Sequence, residues 1–168
     1  MSDFKTQKAL KLKPETLATQ VLDGEKTQNL LDLVDFLQDN KLNLKLAAKN
    51  AWEVIINNKN NTHTGNQILR RLRIHPESRT WSVNLHYFPE YIDYITDAEL
   101  INFVWDNIYY KRCHGENCAS IAERDIFGKK FGNMCCNEQI SVSNLSGKEL
   151  EHIKTLVITA KRIIENRK

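Results

Sequence analysis

The stretch Ile68-Leu69-Arg70-Arg71-Leu72-Arg73-Ile74, with the turn His75-Pro76-Glu77-Ser78 and then Trp81-Ser82-Val83-Asn84-Leu85, decides the fold class. In an extended chain successive side chains point to opposite faces. Ile68, Arg70, Leu72 and Ile74 then share one face, and Leu69, Arg71 and Arg73 the other. Trp81 to Leu85 alternates apolar and polar, the period of a half-buried strand. Just upstream, Ala51-Trp52-Glu53-Val54-Ile55-Ile56 is aromatic and β-branched, and the asparagines at 57, 58, 60 and 61 read as a loop behind it. Three such runs separated by turn residues predict an antiparallel meander. Gln139-Ile140-Ser141-Val142-Ser143 is a further short strand. Leu42, Leu44 and Leu46 also alternate, but their flanks leave them ambiguous.

Helical period surrounds the meander. Pro14 suits the first position of a helix, where its missing N–H is unpaired anyway, and Leu17, Ala18, Val21 and Leu22 follow on one face. After Asp23-Gly24, a second helix from Glu25 to Asp39 carries a broad apolar stripe: Leu30, Leu31, Leu33, Val34, Phe36 and Leu37. Thr96-Asp97-Ala98-Glu99 has capping-box spacing and opens a helix with Leu100, Ile101, Val104, Trp105 and Ile108. Ser146-Gly147-Lys148-Glu149 is a second capping box. The closing helix presents Leu150, Ile153, Val157, Ala160 and Ile164 on one face. It ends in Lys161, Arg162, Arg167 and Lys168, where cations suit the helix dipole. The predicted class is α+β, an antiparallel sheet of three to five strands packed against three or four helices, with a Cys-rich loop substructure. One domain is expected over 1–168, with a helical part at 1–40, the Cys-rich segment at 111–138 and the last helix at 146–168.

The 168 residues fit one domain, and 24 basic against 21 acidic residues leave a net charge of +3. That balance implies no polyanionic partner through bulk charge. No run of 18 apolar residues offers a membrane span, and Met1 to Lys8 has no apolar signal region. A cytoplasmic protein is expected, without a membrane partner. A homodimer is compatible with this reading.

All four cysteines fall in one window, at Cys113, Cys118, Cys135 and Cys136. In a reducing compartment clustered cysteines remain thiols or bind metal. A structural zinc site needs four ligands in a tetrahedron, commonly drawn from two short loops. Cys113, His114 and Cys118 form one such loop, and Cys135 and Cys136 the other. Three sulfurs and the His114 imidazole, or four sulfurs, could reach one ion; adjacent cysteines point apart when extended, so Cys136 is the expected outsider. The segment from Lys111 to Glu138 has weak periodicity, and long aperiodic loops are uncommon in compact domains. Metal ligation would order it. The alternatives are buried thiols acting as small hydrophobes and redox or nucleophilic chemistry. Lys111, Arg112 and His114 could depress the Cys113 pKa, although no Cys-x-x-Cys is present.

The residues Cys113, Cys118, Ile126, Phe127, Gly128, Lys129, Phe131, Asn133, Met134 and Cys135 carry a resemblance. The segment resembles the C-terminal part of an uncharacterised family of small bacterial proteins, chiefly from Firmicutes. Those chains join an amphipathic N-terminal helix, a Trp-bearing meander, a Cys-rich knot and a closing helix with a basic end. The order of elements agrees over most of 25–168. The family knot usually carries one more cysteine, and Glu116 stands near that place. The resemblance therefore implies Glu116 or His114 as a replacement ligand, and it brings no activity with it. The meander and its helices also resemble, loosely, small α+β domains of the YdhG and MmcQ type, which include proposed DNA-binding and iron-handling proteins. That likeness concerns the fold.

Arg70, Arg71, Arg73 and Arg79, with Trp81, His86 and Tyr87, form a candidate basic–aromatic patch. Cations neutralise phosphate and rings stack on bases. A solvated sheet face is the plainer reading at a net charge of +3. Gly128-Lys129-Lys130 lacks phosphate-loop spacing. His63 and His75 read as isolated loop residues, and Asp97 and Glu99 as helix-capping residues. Phe103, Trp105, Tyr109 and Tyr110 read as core and rim. No catalytic residue is assigned. The expected function is that of a non-enzymatic protein with a structural zinc-like site. The alternatives are a thiol redox or metal-handling protein, and a nucleic-acid-binding module using the sheet arginines.

Overall fold

The computed structural model describes residues 3–10, 12–56, 66–109, 122–134 and 138–167. The chain opens with three helices: α1 (Phe4–Ala9), α2 (Pro14–Val21) and α3 (Gly24–Asp39). The Asp3 side chain caps α1 by accepting from the Thr6 N–H at 2.8 Å. Pro14 starts α2, as its fixed φ and missing N–H predict. Leu30, Leu33, Val34 and Leu37 of α3 are fully buried, the stripe its period implied.

Four strands follow: β1 (Lys45–Ala48), β2 (Ala51–Ile55), β3 (Gln67–His75) and β4 (Thr80–His86). A short 3-10 turn at Pro89–Asp93 leads to α4 (Ala98–Asn107) and β5 (Ile108–Tyr109). Then come β6 (Ala122–Ile126), β7 (Lys129–Met134), β8 (Gln139–Ser143) and α5 (Gly147–Asn166). One six-stranded sheet has the order β1-β2-β3-β4-β8-β5, and β6 and β7 form a separate two-stranded sheet. Every pairing is antiparallel. The α+β class and the meander stand. The sheet has one strand more than the expected upper number, because β1 and the two-residue β5 extend its edges.

The helices cover one side of this sheet. Helix α3 packs on α2, α5 and β4, and α5 packs on β3 and α4. Trp52, Leu69, Leu72, Ile74, Trp81, Val83, Leu85 and Ile140 meet Leu156, Val157, Ala160 and Ile164 in one contiguous core. Buried polar bonds lock the layers. The Asn29 amide donates to the Leu145 carbonyl at 2.6 Å. The Tyr91 hydroxyl donates to the Leu156 carbonyl at 3.1 Å. Gln7 of α1 and Asn50 of the β1–β2 turn bond reciprocally, at 2.6 and 2.9 Å.

Strand β3 departs from the predicted alternation. Leu69 is the Cα partner of Leu85, but Arg71 is the partner of Asn84, so Arg70 is an extra residue in the ladder. The pairing with β2 shifts there too. Such a bulge turns the following side chains over. Leu69 and Leu72 both enter the core, while Arg71 is exposed and Arg73 half-buried. The assignment of Arg70 to one face with Leu72 and Ile74 is corrected accordingly.

Other corrections are local. Asp97, not Thr96, caps α4, accepting from the Leu100 N–H at 2.7 Å. The Ser146–Glu149 capping box of α5 is present. His75 ends β3 and meets Ser82 Oγ at 3.1 Å, so it is not an isolated loop residue. Residues 122–134 are a β-hairpin and not an aperiodic loop. Its two-residue turn has Phe127 at φ 51 and Gly128 at φ 77, as a type I′ turn requires. Lys129 sits over the rings of Trp105 and Phe131 at 5.1 and 5.4 Å. Among the described residues no helix is long and apolar enough to cross a membrane.

The one-sided core gives a direct expectation. Trp81 is wholly buried between sheet and helices. Replacing it with Ala is expected to cost about 3–5 kcal/mol. Replacing Ser143, exposed beside Ser82 on the opposite side, should change stability by less than about 0.5 kcal/mol. Urea denaturation of both variants checks the contrast.

Candidate functional site

Cys113, His114, Glu116, Cys118, Cys135 and Cys136 lie outside the described residues. What is described is the ground on which that window stands. Strand β5 ends at Tyr109, whose Cα partner is Gln139 at the start of β8. Ala122, the first residue of β6, is the Cα partner of Met134, the last of β7. Among the described residues, two hydrogen-bonded contacts fasten the hairpin beside the sheet. Trp105 Nε1 donates to the Ile126 carbonyl at 2.7 Å, and the Arg124 guanidinium pairs with Glu138 at 2.9 Å. Glu138 is buried while the Arg124 side chain stays partly exposed. Among the described residues no group of three or more His, Cys, Asp or Glu could hold a metal ion.

The arginines separate into two places. Arg79 lies in the β3–β4 turn and pairs with Asp23 at 3.4 Å, both side chains well exposed. Arg70, Arg71 and Arg73 occupy β3 on the side away from the helices. Arg71 faces Asn84 and Arg73 faces Ser82 across the ladder. Neither Arg71 nor Arg73 has a carboxylate within ion-pair distance among the described residues. Arg73 Nε is buried and has no hydrogen-bond partner among them. Its pKa lies below the ordinary guanidinium value, through burial and then through the charge of Arg71. A shallow cavity of about 310 Å³ opens here, lined by Ala47, Glu53, Gln67, Arg70, Arg71, Asn84 and Gln139. Glu53 Oε2 accepts from Gln67 Nε2 at 2.8 Å.

The aromatic half of the predicted patch is corrected. Trp81 is 0% and Tyr87 4% exposed, so neither ring is free to stack on a base. His86 is half-buried and stands edge-on to Phe88, with ring centroids 4.8 Å apart. It lines a second cleft of about 360 Å³ with Tyr87, Pro89, Arg124, Asp125 and Glu138. Burial pushes the Tyr87 hydroxyl pKa up, aided by the charge of Glu138. Sequence patterning missed Glu53, Gln67, Asn84 and Gln139 as a lining set, because they come from four strands and only the register unites them.

Compared with protein-family models, with curated proteins and with solved structures, the chain matches none.

His86 makes stability depend on pH. Burial, then the charges of Arg70 and Arg167, lower its pKa from 6.5 to about 4. The unfolded chain therefore takes up a proton between these values while the folded one does not. The His86 contribution is full above about pH 6.5 and is lost as pH falls toward 4. Thermal melts from pH 7 to pH 5 should show a smaller loss of Tm in His86→Gln than in the parent protein. An equal loss in both would refute the assignment.

Proposed function

We propose that this is a non-enzymatic cytoplasmic protein in which a zinc-like ion fastens the 111–138 segment to the sheet. The ligands are Cys113, Cys118 and Cys135, completed by His114 or Glu116, with Cys136 outside the set. One observation carries the reading: the described residues that border the cysteines are neighbours in space. Tyr109, four residues before Cys113, pairs with Gln139, three residues after Cys136. Ala122, four residues after Cys118, pairs with Met134, which directly precedes Cys135. The ion pair between Arg124 and Glu138 ties the two borders together.

The chemistry of the donors fits. A chain advances at most about 3.3–3.6 Å per residue, so each border leaves its cysteine a short tether. Thiolates and an imidazole are the usual structural zinc ligands, and a carboxylate is an accepted one. The ion would couple its binding free energy to the folding of the segment. The reading agrees with the resemblance of residues 113–135 to the Cys-knot proteins.

Elemental analysis of protein purified without added metal is expected to find about one equivalent of zinc. Cys118→Ser should lower that content and speed amide exchange over 122–134, while β3 and β4 keep their protection. Absence of metal, with Cys113→Ser leaving Tm unchanged, would refute the site. Absence of metal with a thiol titrating well below about 8.5 would move the assignment to thiol chemistry.

A further inference from the structure

We propose that the groove between the α1–α2 connection and the sheet-edge strand β1 docks an extended acidic segment of a partner protein. The segment lies along β1 as an added strand, with an apolar side chain set between carboxylates. Strand β1 stands first in the sheet order and pairs with β2. Beyond that ladder, residues 44–48 make no backbone hydrogen bond among the described residues. A strand at a sheet edge presents a row of N–H and C=O groups, and an extended peptide can add to them. Beside this edge lie two cavities of about 320 and 380 Å³, which share Lys13, Pro14 and Leu44 and so continue one another. Two joined cavities beside a strand suit an extended ligand better than a compact one. Leu12, Leu44 and Leu46 are half-buried against the core and give the groove its apolar lining. The Leu12 backbone is held on both sides: its N–H donates to the Gln7 carbonyl at 2.9 Å, and its carbonyl accepts from Trp52 Nε1 at 3.1 Å.

Charge selects the sign of the partner. Lys8, Lys13 and Lys45 line the larger cavity, all three exposed, and no carboxylate lines it among the described residues. None of the three has a carboxylate in ion-pair range among those residues. Glu53 is the Cα partner of Lys45, but it lines the cavity on the open sheet face and accepts from Gln67. Glu15 lines the adjoining cavity, and its Oε1 accepts from Gln38 Nε2 at 2.9 Å. With Glu15 counted, three cations still stand against one anion. Glu15 Oε2 is buried and has no hydrogen-bond partner among the described residues, so it offers an acceptor to a main-chain N–H at that end. Rim charges of this kind set partner choice and approach rate, while main-chain bonds and the apolar lining hold the segment.

Other occupants fit less well. A second copy meeting this one edge to edge would set lysines against lysines, and edge lysines discourage such pairing. A single strand of nucleic acid would want exposed rings to stack on, and the one ring in the lining, Trp52, is 1% exposed. A membrane surface would want projecting apolar area. Leu10 is the one large apolar side chain given as exposed in the first two helices and their connection, and the other leucines here line a hollow.

The test is an NMR titration of the full chain at constant ionic strength with the synthetic peptide acetyl-Glu-Leu-Glu-Val-Glu-Leu-Glu-amide. The Trp52 indole N–H and the backbone amides of Leu44, Lys45 and Leu46 should move and saturate. Joint Lys8→Glu and Lys13→Glu replacement is expected to weaken binding about tenfold or more, and Lys148→Glu in α5 to leave it unchanged. The same comparison from the peptide's side needs no variant: with Lys for every Glu the peptide should fail to saturate. Methylating alternate peptide nitrogens keeps the charges but removes the main-chain donors, and should also weaken binding about tenfold or more. Shifts that never saturate, equal binding of the Lys peptide, or equal binding of the methylated one would overturn the proposal. So would phosphatidylglycerol vesicles moving these signals where the acidic peptide does not, which would assign the lysines to a membrane surface.

Discussion

A guanidinium cannot be left unpaired in the apolar space between this sheet and its helices, and β3 carries two in succession. Moving an isolated charge out of water costs many kcal/mol. With Leu72 and Ile74 facing the core, an unbroken alternation would aim Arg70 at α5, which packs on β3. The extra residue in the ladder removes that conflict. Leu69 stays opposite Leu85 in the core, and Arg71 falls opposite Asn84 on the open side. The break in period lets the meander keep both a dry face and a charged one.

The dry face holds the fold. Trp52 and Trp81 are the largest fully buried side chains. Each ring system removes about 150–250 Å² from water, worth roughly 4–6 kcal/mol at about 25 cal/mol per Å². Directional bonds then choose among packings: Asn29 to Leu145, Tyr91 to Leu156 and Gln7 to Asn50 each join segments far apart in sequence. The open face has a different character. Ser82, Asn84, Ser141 and Ser143 form cross-strand polar pairs there, with Ser141 Oγ donating to Asn84 Oδ1 at 3.4 Å. The arginines stand on this strand platform, Arg71 exposed and Arg70 and Arg73 half-buried. Sites built on strands hold their geometry better than sites on loops.

Elements with a clean period were legible. Helix α3, strand β4 and helix α5 follow from apolar spacing alone, and the Ser146–Glu149 box marked the start of α5. Three features were not legible, each for a physical reason. Helix α1 is six residues long and is held by the buried Gln7–Asn50 pair, a contact across 43 positions that no local pattern reports. Strands β6 and β7 carry five charged residues, Glu123, Arg124, Asp125, Lys129 and Lys130, and bury Ile126 and Met134 fully. A hairpin fixed by its I′ turn, one tryptophan bond and one ion pair has too few apolar positions to show a period of two. The bulge is tertiary in origin: it exists because of what lies above and below the sheet. The same blindness hid the lining set of the cavity. The arginines were visible as residues, but their company was not, and Trp81 and Tyr87, offered as members of a candidate patch, are buried.

The measurement that bears most directly on this account is the cross-strand NOE pattern between β3 and β4. The bulged register predicts contacts pairing Leu69 with Leu85, Arg71 with Asn84 and Leu72 with Val83. Contacts pairing Arg70 with Leu85 and Leu69 with His86 would mean an unbroken ladder. Arg70 would then face the core, and the charged platform described here would not exist.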